Sequence, residues 1–132
     1  MFEGRDRLAR TPAHELALDC LAAGIKGARP ERAVERHCAI GGDTLRIKDA
    51  EYDISAYDSI QIRGGGKAAD DLAAAFETLL GDRVSGGVVV TNEPTADPER
   101  VTVREGEHPT PGEGSVSGAN AVLEAAAVAD DR

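Results

Sequence analysis

The sequence has no apolar run of signal-peptide or membrane-spanning length, so the expectation is a soluble, cytoplasmic chain without a membrane partner. Cysteine is scarce. Cys20 and Cys38 have neither metal-ligand spacing nor the density of a secreted disulfide framework, and they read as buried free thiols, a single long-range bridge being the alternative. Positive charge is short as well, with 24 acidic residues against 15 basic ones, three of them lysines, for a net charge of −9. Such a surface repels nucleic acid and anionic lipid, which removes both as expected partners. An acidic, lysine-poor composition also suits a halophilic protein, because in molar salt a Debye length of about 3 Å screens self-repulsion. At 132 residues the chain is expected to form one domain, 1–132, with a core of its own.

What is present is organised around residues 57–80, YDSIQIRGGGKAADDLAAAFETLL. Ile60 and Ile62 alternate with polar residues as in a strand, and Gly64, Gly65 and Gly66 then remove every side chain where that strand ends. Lys67 to Leu80 reads as a helix with Leu72, Ala75, Phe76 and Leu79 on its buried face, Asp70, Asp71 and Glu77 on its wet face, and Gly81 as its stop. Glycine amides and a helix N-terminus form a natural anion cradle, to which Lys67 adds a full positive charge. A lysine at that end of a helix is otherwise misplaced by roughly 0.3–1 kcal/mol. The plainer reading is a tight strand-to-helix turn with a solvated lysine.

The flanking chain supplies the sheet. Thr11 and Pro12 open a helix with apolar Leu16, Ala17, Cys20, Leu21 and Ala23, ended by Gly24 and Gly27, after a patternless first ten residues; Pro30 to His37 forms a second helix. Residues 40–55 read as a small hairpin or a pair of edge strands. Their carboxylates Asp43, Asp49, Glu51 and Asp53 lack calcium-loop spacing, and His14 and His37 stand alone, so no metal ligand is assigned. Val88, Val89 and Val90 form a β-branched run of the kind buried on both faces. Strand, glycine loop, helix and strand make a right-handed βαβ unit, with the glycines at the carboxyl edge where open α/β sheets bind ligands. Val101 and Val103 mark a further strand. The loop REGEHPTPGEG then holds His108 between a strand end and two prolines, close to Lys67 if the strands are neighbours, and Ser115 to Ala129 closes the chain as a helix.

Standard nucleotide motifs fit poorly. Gly64-x-Gly66-x-x-Ala69 is a loose dinucleotide fingerprint with Glu93 as its ribose partner, whereas the Walker pattern fails at its first glycine and at Ala68, where a Ser or Thr would hold magnesium. The runs IQIRGGGKAADDLAAAFETLLGDRVSGGVVVT and VREGEHPTPGEGSVSGANAVLE resemble the N-terminal domain of glycerate 2-kinases of the MOFRL type, a family often labelled hydroxypyruvate reductase. The resemblance implies a Rossmann-like layered domain with a mostly parallel sheet flanked by helices, and ATP- and magnesium-dependent phosphorylation of D-glycerate to 2-phosphoglycerate. It places the family's lysine on Lys67 and its loop histidine on His108. Lys67 is then the catalytic candidate, steadying the phosphoryl group or the glycerate carboxylate, with Gly64, Gly65, Gly66 and His108 binding substrate. The family continues into another strand, a second phosphate loop and a C-terminal domain. The expectation is therefore a truncated domain with little or no kinase activity alone, whose partner is the absent domain or another copy of itself. An NAD(P)H-dependent hydroxypyruvate reductase and a non-catalytic anion-binding α/β module are the alternatives.

Overall fold

The computed structural model describes residues 2–129; Met1 of the patternless N-terminal segment and residues 130–132 of the expected domain lie outside the described residues. A short helix α1 (Arg5–Leu8) leads into α2 (Pro12–Gly27) and α3 (Pro30–His37). Thr11 caps α2 as read, its Oγ1 accepting the His14 amide at 3.3 Å, but Gly24 lies inside the helix and does not end it. The thiols are free, yet neither is buried: Cys20 is exposed and Cys38 half-buried. For Cys20 the cause is that α2 buries only Leu18 and leaves Leu16, Leu21 and Ile25 open.

Residues 38–53 form three antiparallel strands, one more than the hairpin expected: β1 (Cys38–Gly41), β2 (Thr44–Ile47) and β3 (Ala50–Asp53), in that spatial order. The extra strand starts directly at the end of α3, at Cys38-Ala39-Ile40, where no polar alternation announces it. The second sheet is parallel, with order β4 (Ile60–Gly65), β5 (Val84–Thr91) and β6 (Val101–Glu105). Helix α4 (Ala69–Leu80) joins β4 to β5, and α5 (Glu113–Ala127) follows β6. The expected βαβ unit is present, and Val88 and Val89 are buried at its centre.

Two contacts fix this arrangement. In the β4–β5 register Ile62 stands opposite Gly87, and a Cβ at Gly87 would lie 1.9 Å from the Ile62 carbonyl oxygen, so only glycine lets the strands meet there. Helix α4 carries the core: its Ala73 and Leu80 pack with Leu45 and Ile54 from the antiparallel side and with Val84, Val89 and Val101 of the parallel sheet. This joins both sheets through one hydrophobic cluster.

The connection from β5 to β6 is unusual. Parallel neighbours are ordinarily joined through a helix of a dozen or more residues in all, but residues 92–100 make the crossover without one. Their backbone groups need partners, and α4 supplies them. Asp70 Oδ2 accepts the amides of Thr95 at 2.7 Å and Ala96 at 2.9 Å, and Glu77 accepts those of Glu99, Arg100 and Val101 at 2.7–2.8 Å. These residues were expected on the wet face of the helix. Asp70 is instead fully buried and Glu77 half-buried, because the crossover runs along that face. Burial opposes the Asp70 charge, but the amides of Ala96 and Thr95, with those of Asp70 and Asp71, outweigh it and hold its pKa below the ordinary value.

Removing a buried charged acceptor with several donors costs about 1.5–3 kcal/mol. Asp70→Ala is expected to lower unfolding stability by that amount in urea titrations, with Asp70→Asn, which retains one acceptor oxygen, falling between; an unchanged midpoint would rule out the clamp.

Candidate functional site

The carboxyl ends of β4, β5 and β6 open into a cleft of about 530 Å³. Its walls are the glycine turn and Lys67 on one side, the loop from Gly106 to His108 on the other, and the α5 face bearing Ala119, Val122 and Leu123. All of the site residues read from the sequence, Gly64, Gly65, Gly66, Lys67 and His108, line this one cleft. Glu93, the ribose partner of the loose dinucleotide fingerprint, is exposed in the crossover and does not line it.

The glycine turn departs in detail from the expected cradle. Gly64 and Gly65 still belong to β4, opposite Val89 and Val90, and the Gly66 amide donates to the Val90 carbonyl at 2.9 Å. Gly66 has φ 139, which favours glycine, and turns the chain out of the strand. Helix α4 then starts at Ala69, two residues later than read, with no side-chain cap. The amides of Lys67 and Ala68 consequently make no hydrogen bond among the described residues, and the exposed Lys67 ammonium has no ion-pair partner among them. Of these two residues Lys67 lines the cleft and Ala68 does not, whereas the Gly66 amide is engaged in closing the strand.

On the opposite wall the sequence reading missed Glu107. Its carboxylate accepts the amides of Gly112 and Gly114, each at 3.1 Å, and the amide and hydroxyl of Ser115 at 2.8 and 2.9 Å. The Glu107 amide in turn donates to Ser115 Oγ at 2.8 Å. The loop containing His108 and its cis bond to Pro109 is thus tied back onto the first turn of α5, leaving His108 exposed at the rim. The Ser115 amide and hydroxyl, then the amides of Glu107 and Gly114, lower the Glu107 pKa from 4.5 to about 2. The readable signal was an acid shortly before a glycine-rich helix start, where negative charge is favoured. Thr91, at the end of β5, is also part of the cleft; it is buried, and its Oγ1 has no partner among the described residues.

The donor set bears on the expected cofactors. Among the described residues no group of three or more His, Cys, Asp or Glu side chains is placed to hold a metal ion. The one carboxylate lining the cleft, Glu107, is already engaged by four donors. These residues do not fit a magnesium site.

A parallel sheet covered by helices, with a basic glycine turn at its carboxyl edge, defines a Rossmann-like α/β domain. More particularly, residues 16–132 match the family described as "Domain of unknown function (DUF4147)", and the chain belongs to that family. It is 33% identical over 110 residues to a glycerate 2-kinase of Pyrococcus horikoshii, an alignment covering 83% of this chain and 24% of the relative. A crystal structure of a protein from Pyrococcus horikoshii OT3 superposes with a TM-score of 0.77 at 30% identity, covering 92% of this chain and 27% of the other. A glycerate kinase from Thermotoga maritima gives a TM-score of 0.59 at 25% identity, covering 84% of this chain and 24% of that one. The resemblance and the fold class read from the sequence are thereby met, and the chain spans about a quarter of the length of these relatives.

A carboxylate whose folded pKa is depressed adds stability above its unfolded pKa and loses that contribution as pH falls through the folded value. For Glu107 the window runs from about 4.5 down to about 2. The melting temperature of Glu107→Gln is expected to lie below that of the unaltered chain at pH 6, with the gap closing across this window; a constant gap would count against the ionic tie.

Proposed function

We propose that this chain is the N-terminal portion of a cytoplasmic glycerate 2-kinase, which phosphorylates the 2-hydroxyl of D-glycerate using ATP. What supports the reading most is the exposed Lys67, its own amide unused as well, at the mouth of a cleft shared with His108. The kinases among its relatives agree with it.

Phosphoryl transfer asks little covalent chemistry of a protein and much positioning, because negative charge must be held by fixed cations and oriented donors. In this scheme Lys67 receives the glycerate carboxylate or steadies the charge of the transferring group, with the Lys67 amide completing the cradle. His108 sits on the loop held by Glu107 and orients the substrate by hydrogen bonding a hydroxyl. ATP supplies the phosphoryl group when bound; no step is assigned to magnesium, whose ligands this proposal places outside residues 2–129. The cleft's open side carries Leu123, 66% exposed, and this apolar wall is where a further domain or a second copy closes the site. The reductase alternative lacks support, because Glu93, though next to Asn92, does not itself line the cleft.

A charge-assisted contact of about 1.5–3 kcal/mol corresponds to roughly 10- to 100-fold in affinity. Lys67→Ala is expected to weaken D-glycerate binding by that factor in calorimetric titrations run in molar potassium chloride, as suits the halophilic reading. Phosphorus NMR of the chain with ATP and D-glycerate, alone and with whatever completes the site, tests for 2-phosphoglycerate. Equal glycerate affinity in the Lys67→Ala variant would sink the role given to that residue.

A further inference from the structure

Six polar side chains line the cleft, and four are accounted for. Lys67 and His108 have roles in the function proposed above, and Glu107 and Ser115 engage one another at 2.9 Å. The remaining two, Thr91 and Asn92, stand at the carboxyl end of β5, the central strand of the parallel sheet. They lie between the two walls: the Val90 carbonyl accepts the amide of Gly66 from the Lys67 wall at 2.9 Å, and the next carbonyl, that of Thr91, accepts the amide of Gly106 from the His108 wall at 2.8 Å. Thr91 is 2% exposed, and its Oγ1 has no partner among the described residues. A buried hydroxyl left unpaired is destabilising, so an orphaned one calls for a partner. The half-buried Asn92 carboxamide makes no hydrogen bond among those residues either.

We propose that Thr91 and Asn92 form a specificity floor in the cleft and hold the substrate hydroxyl that is not phosphorylated. Thr91 turns its hydroxyl into the cleft about χ1 as the ligand seats, and Asn92 supplies an amide donor and a carbonyl acceptor beside it. A threonine hydroxyl both donates and accepts, as an alcohol partner requires. A substrate hydroxyl pressed into the floor is screened from a phosphoryl donor, so the one held there is the 3-hydroxyl of glycerate, and the 2-hydroxyl faces the open side. Sites that pair a substrate hydroxyl reject an analogue lacking it, because their own polar groups are then left unpaired. The cleft thereby separates a 2,3-dihydroxy acid from the 2-hydroxy acid that carries a methyl group instead. The choice of hydroxyl rests on the function proposed above; the reservation of Thr91 for a ligand does not.

The first measurement needs no ligand. Thr91→Val removes the unpaired hydroxyl at nearly constant shape and is expected to melt at the same temperature as the unaltered chain or above it. A clear fall would show the hydroxyl already paired within the protein and overturn its reservation. Calorimetric titration then compares D-glycerate with D-lactate, which lacks only the 3-hydroxyl. The unaltered chain is expected to prefer D-glycerate by about tenfold or more, and Thr91→Val to bring the ratio towards one by weakening D-glycerate alone. Asn92→Ala is expected to act in the same direction, and Thr91→Ser, which keeps the hydroxyl, to retain the preference. An equal loss for both acids in Thr91→Val, or a preference it leaves unchanged, would overturn the specificity role. If neither acid binds the unaltered chain, the glycerate reading fails and the choice of hydroxyl with it, while the melting comparison still decides whether Thr91 is held for a ligand.

Discussion

The structure depends on two carboxylates of α4 that hold a stretch of chain with no secondary structure of its own. The crossover from β5 to β6 must return the chain to the opposite edge of the sheet, and without a helix its amides have no internal partners. Asp70 and Glu77, two turns apart on α4, accept four of them and that of Val101, the first residue of β6. That clamp lets β6 pair in parallel beside β5, and β6 in turn delivers Gly106, Glu107 and His108 to the edge where β4 ends in glycine. The cleft thus follows from an interaction on the far side of the sheet's connections. The apolar core accepts Val101 and Val103 of β6, and the hydrogen bonds of the crossover fix where that strand begins.

Much of the fold was legible because it rests on local patterns. Ile60 and Ile62 followed by glycine, the run Val88 to Val90, and the helical spacing of Phe76 and Leu79 each announce their element through periodicity or β-branching. The clustering of Lys67 and His108 was legible only on the condition that their strands are neighbours; β5 lies between β4 and β6, and the two residues instead line one cleft across its carboxyl end. What stayed hidden depends on distant partners. A charged residue inside a helix ordinarily marks its solvent face, and nothing near Asp70 reveals that Thr95, 25 residues later, will lie over it. The engagement of the Gly66 amide by Val90 is likewise set by strand register, which moves the free donors on to Lys67 and Ala68. Glu107 was within reach, since its partners begin only five residues downstream, but glycines and prolines there read first as a turn. The buried thiol expected at Cys20 failed for another reason: the apolar stripe of α2 is real in sequence, yet the described residues do not cover it.

The two walls of the cleft are held by different physics. The Lys67 wall is backbone geometry, a strand closed by its neighbour and turned by one glycine at positive φ. The His108 wall is electrostatic, a loop tied by one ionised carboxylate to the start of a helix. Substitutions therefore act on them differently, the first failing through sterics and the second through charge.

The clamp on the crossover also makes the two walls of the cleft unequally dependent on α4. Residues 92–100 have no helix or sheet ladder of their own, so their place depends on α4 presenting Asp70 and Glu77. β6 and the loop carrying Glu107 and His108 follow them in the chain and share that dependence. The glycine turn is closed directly by β5, so a change that loosens the clamp displaces one wall of the cleft and leaves the other in place.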